Sequence, residues 1–355
     1  MASRHRVAFI GCGRPGHGPD STGFAMAYAH AHGFLATGRC ELVGAADIKP
    51  ENARLFAEQF AVPATYTDYR RMLRQERPDI VSICTWPHLH APMVRDSARA
   101  GARAIHCEKP MAPTFGEAQR MVAACERAGT QLTFNHQRRF LEPFRRAKKM
   151  AHDGTIGDLV RLEGACGDMI DWGTHWLDMF FCYNNETPAE WVLGQIDSRQ
   201  ERAIFGLPTE NQAICEVWFA NGVRALLFSG YGCDIGCANR LWGTSGMLEV
   251  HNEQPHLRLW RQGSSKVRLI KTAEGLHGGE AIDRGIADLI EALERGREPE
   301  LSARRALQTT EVIFATYESS RRRGRVDLPL KIKDSPLLSM LEAGEVGPRR
   351  RGGRR

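Results

Sequence analysis

Three short stretches hold reactive side chains where the chain leaves them little freedom. In "IHCEKPMAP", residues 105–113, the Glu108-Lys109 pair follows an apolar run and precedes Pro110. The residue before a proline is driven out of helical backbone, so Lys109 is held in extended geometry at a strand end. In "DWGTHWLD", residues 171–178, Asp171, His175 and Asp178 fall at i, i+4 and i+7, which is one face of a helix. Trp172, Trp176, Leu177, Met179 and Phe180 make the rest of that helix apolar, so the polar stripe needs partners. A histidine oriented by carboxylates that stabilise its imidazolium can act as a general base; a core histidine satisfied by its own helix neighbours is the plainer alternative. In "VAFIGCGRPG", Gly11, Gly13 and Gly16 directly follow an apolar strand, the spacing a dinucleotide needs for a tight turn, close pyrophosphate approach and helix packing.

Asp47 closes the next strand. A carboxylate there accepts hydrogen bonds from both ribose hydroxyls of NAD and repels the 2′-phosphate of NADP. Lys49, two residues on, softens that preference, so the expectation is NAD with NADP as the alternative. Asp47 lies 31 residues beyond Gly16, further than the ~20 usual for the motif, and the plainer alternative is a turn aspartate. Gly18 and Pro19 delay the helix that follows the glycines, which makes Asp20 or Ser21 the expected N-cap. His136, Arg138 and Arg139 in "NHQRRF" follow another strand end. Arg138 is counted as a substrate contact, although arginines opening a helix are commonly solvated. His30 and His32, two apart near a helix end, point to different faces and read as surface residues rather than a metal pair; no metal site is expected.

The elements that must position these residues alternate in the first part of the chain. "RVAFIG", "ELVGAAD", "DIVSIC", "RAIHCEKP" and "QLTFN" read as strands, with helices such as 51–60 and 114–128 between them. Thr114 and Glu117 stand at capping-box spacing. This is the βαβ pattern of a parallel sheet covered on both faces. After about residue 155 the segments lengthen and alternate, as in "LVRLEGACG" and "AICEVWFANGVRALLFSGY", which reads as an open, mostly antiparallel sheet with one face covered. Helices return at 279–295 and 302–322. The expected class is α/β: a dinucleotide-binding Rossmann domain over 1–140, a substrate-binding and oligomerisation α+β domain over 141–340, and a basic disordered tail over 341–355. The apolar face of an open sheet implies a homodimer or homotetramer.

Five arginines in the last seven residues, "RRRGGRR", account for most of the net charge of +6, so the body is near neutral and no nucleic-acid partner is expected. No apolar run approaches the ~20 residues of a membrane span, and the N-terminus enters a strand without a secretory pattern. Ten cysteines without a CxxC pair or zinc spacing fit reduced thiols in a cytoplasm.

With the glycine turn, Asp47, "CTWPHLHAP", "EKP" and "DWGTHWLD" taken together, the chain resembles the glucose-fructose oxidoreductase and inositol 2-dehydrogenase family (Gfo/Idh/MocA) up to about residue 340. The resemblance implies a Rossmann domain followed by an α/β domain with an open antiparallel sheet, and it brings Lys109 beside the nicotinamide and the substrate hydroxyl. It implies cofactor contacts from Thr85, Trp86, His90 and Glu108, although the family's usual Thr-Pro-Asn is Thr85-Trp86-Pro87 here. On that basis Lys109 polarises the reacting oxygen, Asp171 holds His175, and His175 takes the proton of a sugar, cyclitol or polyol alcohol. Two alternatives stay open: a redox-neutral glycosidase or epimerase on tightly held NAD, and a non-catalytic dinucleotide-binding regulator.

Overall fold

In a computed structural model, residues 4–16, 24–230, 232–233 and 237–348 are described. The expected N-cap at Asp20 or Ser21 and the arginine cluster at 349–355 lie outside them. The chain runs β1 (His5–Ile10), α1 (Ala27–Ala36), β2 (Cys40–Ala46), α2 (Pro50–Phe60), β3 (Thr65–Tyr66), α3 (Tyr69–Glu76), β4 (Ile80–Ile83), α4 (Pro87–Arg99), β5 (Ala104–Cys107), α5 (Phe115–Ala128) and β6 (Gln131–Phe134). It continues through α6 (Glu142–His152), β7 (Leu159–Cys166), α7 (Gly173–Tyr183) and β8 (Ala189–Asp197). A short hairpin of β9 (Ala203–Ile204) and β10 (Leu207–Pro208) leads to β11 (Gln212–Phe219), β12 (Arg224–Gly230), β13 (Cys237–Gly243), β14 (Gly246–His251), β15 (Leu257–Arg261) and β16 (Arg268–Ile270). The last elements are α8 (Glu280–Arg295), α9 (Ala303–Arg322), β17 (Val326–Asp327) and α10 (Pro336–Glu342).

Two compact units result. The first takes 1–112, 117–140 and 278–306. Its six-stranded sheet has the order β3-β2-β1-β4-β5-β6, parallel throughout. The order reverses between β1 and β4, which opens the ligand crevice of a doubly wound sheet at the strands' carboxyl ends. The segment 278–306, assigned by sequence to the second domain, belongs to this unit. Ile282, Ile286, Leu289 and Ile290 of α8 share one core with Val7, Phe9, Ala31 and Phe34, and the Gln131 side-chain amide donates to the Leu289 carbonyl at 3.0 Å. An amphipathic helix is claimed by whichever apolar face it can bury, and its place in the chain does not enter.

The second unit takes 113–116, 141–277 and 307–355. Its nine-stranded sheet has the order β16-β15-β14-β13-β7-β12-β11-β8-β17, antiparallel except where β7 meets β12. One face buries Leu162, Val192, Cys215, Val217, Leu227 and Leu241. Helix α9 lies close on that face: Thr316 Oγ1 donates to Cys215 Sγ at 3.1 Å, and a Cβ on Gly194 would come within 2.6 Å of Thr316, so only glycine admits the helix at this distance. The other face leaves Ile214, Phe228 and Leu193 exposed and carries a stacked Trp191-Trp218 pair at 5.5 Å. No helix among the described residues is long and apolar enough to cross a membrane.

Candidate active site

The glycine turn follows β1. Gly11 takes φ +83°, and a Cβ there would meet Thr85 Cγ2 at 2.6 Å and the Cys84 carbonyl at 2.8 Å. Glycine is required on both counts, and the bare backbone is what lets a pyrophosphate come close. Gly13 and Gly16 also hold positive φ. Asp47, one residue past β2, joins the turn through one carboxylate oxygen and its own loop through the other. Oδ2 accepts from the Cys12 and Gly13 N–H groups, each at 3.0 Å, while Oδ1 accepts from the Lys49 N–H at 2.9 Å. The turn and the acidic residue are thus one construction, as a site for a ribose next to a pyrophosphate requires.

The loop after β4 presses on this turn through Thr85. Trp86 is the N-cap of α4 and is 51% exposed. His90, expected to touch the cofactor, is instead fully buried. Its Nδ1 lies 3.0 Å from the Pro110 carbonyl and 3.3 Å from that of Met111, and its Nε2 lies 3.0 Å from the Thr85 carbonyl. Burial lowers its pKa and the carbonyls offset part of that. His90 therefore braces the β4-α4 loop against the loop that carries Lys109.

Lys109 follows β5, two strands from β1 on the same sheet edge. Glu108 turns inward beneath it. Glu108 Oε1 accepts from Asn135 Nδ2 at 2.7 Å and pairs with His30 Nε2 at 3.0 Å. Its Oε2 accepts from the Lys109 N–H at 3.2 Å. His30 is therefore no surface residue: it is fully buried, and its Nδ1 reaches Ser82 Oγ at 2.9 Å and Cys84 Sγ at 3.3 Å. Burial opposes the imidazolium, but Cys84 and Glu108 outweigh it and push His30 up to about 10. Burial likewise opposes the Glu108 carboxylate, and the His30, Lys109 and Asn135 contacts outweigh it to hold Glu108 down at about 2. The fixed charge under Lys109 is thus a buried ion pair. Nothing local marks His30, since its partner lies 78 residues away. His32 does lie at the surface, paired with Asp283.

Arg138 and Arg139 sit on the 3-10 turn Gln137–Phe140. Both are buried rather than solvated, and Arg139 Nη1 pairs with Glu300 at 3.0 Å within the same unit. That pairing gives Arg139 a structural partner.

In the second unit every residue of α7 is buried. His175 is 4% exposed and Asp178 1%. The helix begins at Gly173 with Trp172 as N-cap, so Asp171 precedes the helix instead of opening it. Asp168 causes this: its Oδ1 accepts from the Asp171 N–H at 2.6 Å and its backbone carbonyl accepts from Gly173 at 2.8 Å. Trp172 is 37% exposed, with its ring held edge-on by His277 at 5.6 Å and tilted against Trp176 at 6.0 Å.

Residues 5–136 match the oxidoreductase family with an NAD-binding Rossmann fold, Gfo/Idh/MocA, the span that contains the glycine turn, Asp47 and Lys109. That span is similar to this family's NAD-binding domain. Similarity to D-apiose dehydrogenase of Paraburkholderia graminis is 28% identity over 97% of this chain and 95% of that protein. Myo-inositol 2-dehydrogenase of Thermotoga maritima is 25% identical over 54% of this chain and 55% of its own. Among solved structures, levoglucosan dehydrogenase in complex with NADH and L-sorbose superposes with a TM-score of 0.78 at 21% identity, over 93% of this chain and all of that one. The chain is an NAD-binding oxidoreductase of the dehydrogenase type.

Proposed function

We propose that the protein oxidises a secondary alcohol of a ring-shaped sugar or cyclitol, with Lys109, Asp171 and His175 as its proton-transfer set. The observation that carries this reading is the setting of Lys109, on the sheet edge that holds the glycine turn, over a Glu108 whose charge His30 already balances. Lys109, fixed at the strand end before Pro110, can donate to the reacting oxygen, favouring the developing alkoxide. His175 takes the hydroxyl proton, and Asp171 orients it. The nicotinamide, when bound, accepts the hydride from the carbinol carbon. The glycine turn and Asp47 hold the dinucleotide, with NAD preferred over NADP because Asp47 opposes a 2′-phosphate.

A ring-shaped substrate is supported by Trp172. A fixed, half-exposed indole three residues before His175 suits the C–H face of a ring and has little to grip on an open chain. The names of the D-apiose and myo-inositol enzymes point to the same substrate class. The exposed sheet face around Ile214 and Phe228 is proposed to bind a second copy of the chain, giving a dimer or tetramer.

The test is a panel of sugars, cyclitols and open-chain polyols scored by absorbance of reduced nicotinamide, with NAD and NADP in parallel. Cyclic substrates with NAD should give net turnover. Substrate consumption without accumulation of reduced nicotinamide would favour a redox-neutral reaction on held NAD, and dinucleotide binding with no turnover of any kind would favour a regulator.

A further inference from the structure

The loop from β7 to α7, residues 167–172, carries Asp171 to its position, and two buried carboxylates hold it. Glu210, fully buried between β10 and β11, accepts four hydrogen bonds. Its Oε1 takes the Met169 N–H and Ser229 Oγ, both at 2.7 Å; its Oε2 takes Tyr317 OH at 2.7 Å and Thr209 Oγ1 at 2.8 Å. These donors come from the loop, from β12, from α9 and from the neighbouring residue. Four donors fill the acceptor sites of a carboxylate, so Glu210 is tied to three separate elements and its neighbour at once. Asp168, 2% exposed, grips the next stretch through the Asp171 and Gly173 N–H groups, and Arg202 Nη1 donates to the Gly167 carbonyl at 2.8 Å.

Burying the loop does not call for these charges. Met169 and Ile170 are themselves buried and would anchor it by apolar contact, and a buried carboxylate generally adds less stability than a well-packed apolar residue. What hydrogen bonds add is direction, because each fixes one backbone N–H to a point. We propose that Glu210 and Asp168 are positioning residues: a carboxylate pair that pins the 167–172 loop and so sets the approach of Asp171 and the first turn of α7, with His175 on it. This rests on the proton-transfer role proposed above for Asp171 and His175.

The pair also has a titrating member. Burial raises the Asp168 pKa, the neighbouring Glu210 and Asp171 charges add to that, and the Asp171 N–H and Arg202 oppose it, leaving it at about 6. The other titratable groups against it are Cys166, whose Sγ donates to the Asp168 carbonyl at 3.2 Å, and Tyr317 on α9.

The decisive measurement is a pH titration of the histidine ring signals by NMR in the full-length chain. The His175 signal is assigned by its loss in His175→Gln, and wild type is compared with Glu210→Gln, Asp168→Asn and Tyr317→Phe. The first two variants should move the His175 midpoint by about half a pH unit or more, since the loop and first turn that set its surroundings are released. With whichever alcohol the wild type oxidises, they should lower kcat by about tenfold while KM and the NAD dissociation constant stay within about twofold. Tyr317→Phe removes one donor and should act in the same direction, less strongly. Should Glu210→Gln fail to fold, Asp168→Asn and Tyr317→Phe carry the test. Folded variants whose His175 midpoint stays within about 0.1 pH unit of wild type would overturn the inference. If the midpoint moves but no alcohol is oxidised, the inference stands and the functional reading falls.

Discussion

Glu108→Gln is the sharpest perturbation available in the first unit. Glu108 Oε1 serves both Asn135 Nδ2 and His30 Nε2, so a glutamine must keep its oxygen there. That turns its NH2 toward the Lys109 N–H that Oε2 now accepts, and two donors face each other. It also leaves the buried His30 imidazolium without its counter-charge. Breaking a buried pair from one side costs about 3–5 kcal/mol; with one acceptor retained, the lower end applies. At ~2–4 °C per kcal/mol for a unit of this size, the melting temperature should fall by about 6–12 °C. The pH dependence follows from the two shifts. His30 is raised from 6.5 to about 10, so its stabilisation is complete below 6.5 and lost as pH rises through about 10. Glu108 is lowered from 4.5 to about 2, so its contribution is present above 4.5 and lost as pH falls through about 2. The penalty of the substitution is therefore full between 4.5 and 6.5 and shrinks toward pH 10. Thermal melts of both proteins at pH 6, 8 and 10 measure it. A drop of less than about 2 °C at pH 6, or one that grows with pH, would refute the buried ion pair.

Further outcomes can be checked with the same protein. His175→Ala should lose ~100- to 10,000-fold in turnover and the acid limb of the pH-rate profile, with NAD affinity nearly unchanged by calorimetry; near-full activity would move the base elsewhere. Asp47→Ala removes the acceptor for the Cys12 and Gly13 N–H groups as well as the proposed ribose contact, so NAD binding should weaken about tenfold or more and the gap to NADP should narrow. Wild type that binds NADP more tightly would contradict this. Trp172→Ala should raise KM for cyclic substrates by about tenfold, while Trp172→Phe keeps most of the affinity; equal effects on cyclic and open-chain alcohols would argue against a stacking role. Light scattering should show a species larger than 39.7 kDa, and Ile214→Glu on the exposed sheet face should shift it toward the monomer.

Some of this protein was legible before any tertiary information. The glycine turn could be read because a strand followed by Gly11 and Gly13 has few other uses, and Lys109 because Pro110 restricts the backbone before it. Most strands of both sheets announced themselves by short apolar runs or alternation, which are properties of neighbouring residues, whereas β3, β13, β16 and β17 were not read from the sequence. What escaped the sequence was every feature whose cause lies far along the chain. His30 sits on a short, alanine-rich helix with no evident polar face, and only the packing of α1 over β4 and β5 turns it toward a carboxylate 78 residues on. Arg139 looked solvated until Glu300, 161 residues away, was folded against it. The segment 278–306 joined the first unit because α8 finds its apolar partners on β1 and α1. Asp171 matched the helical spacing yet stands before the helix, since Asp168 takes the N–H groups of residues 171 and 173. Periodicity reports which face of an element is apolar; it carries no record of which distant polar group that element will meet, and the burial of that group decides its charge.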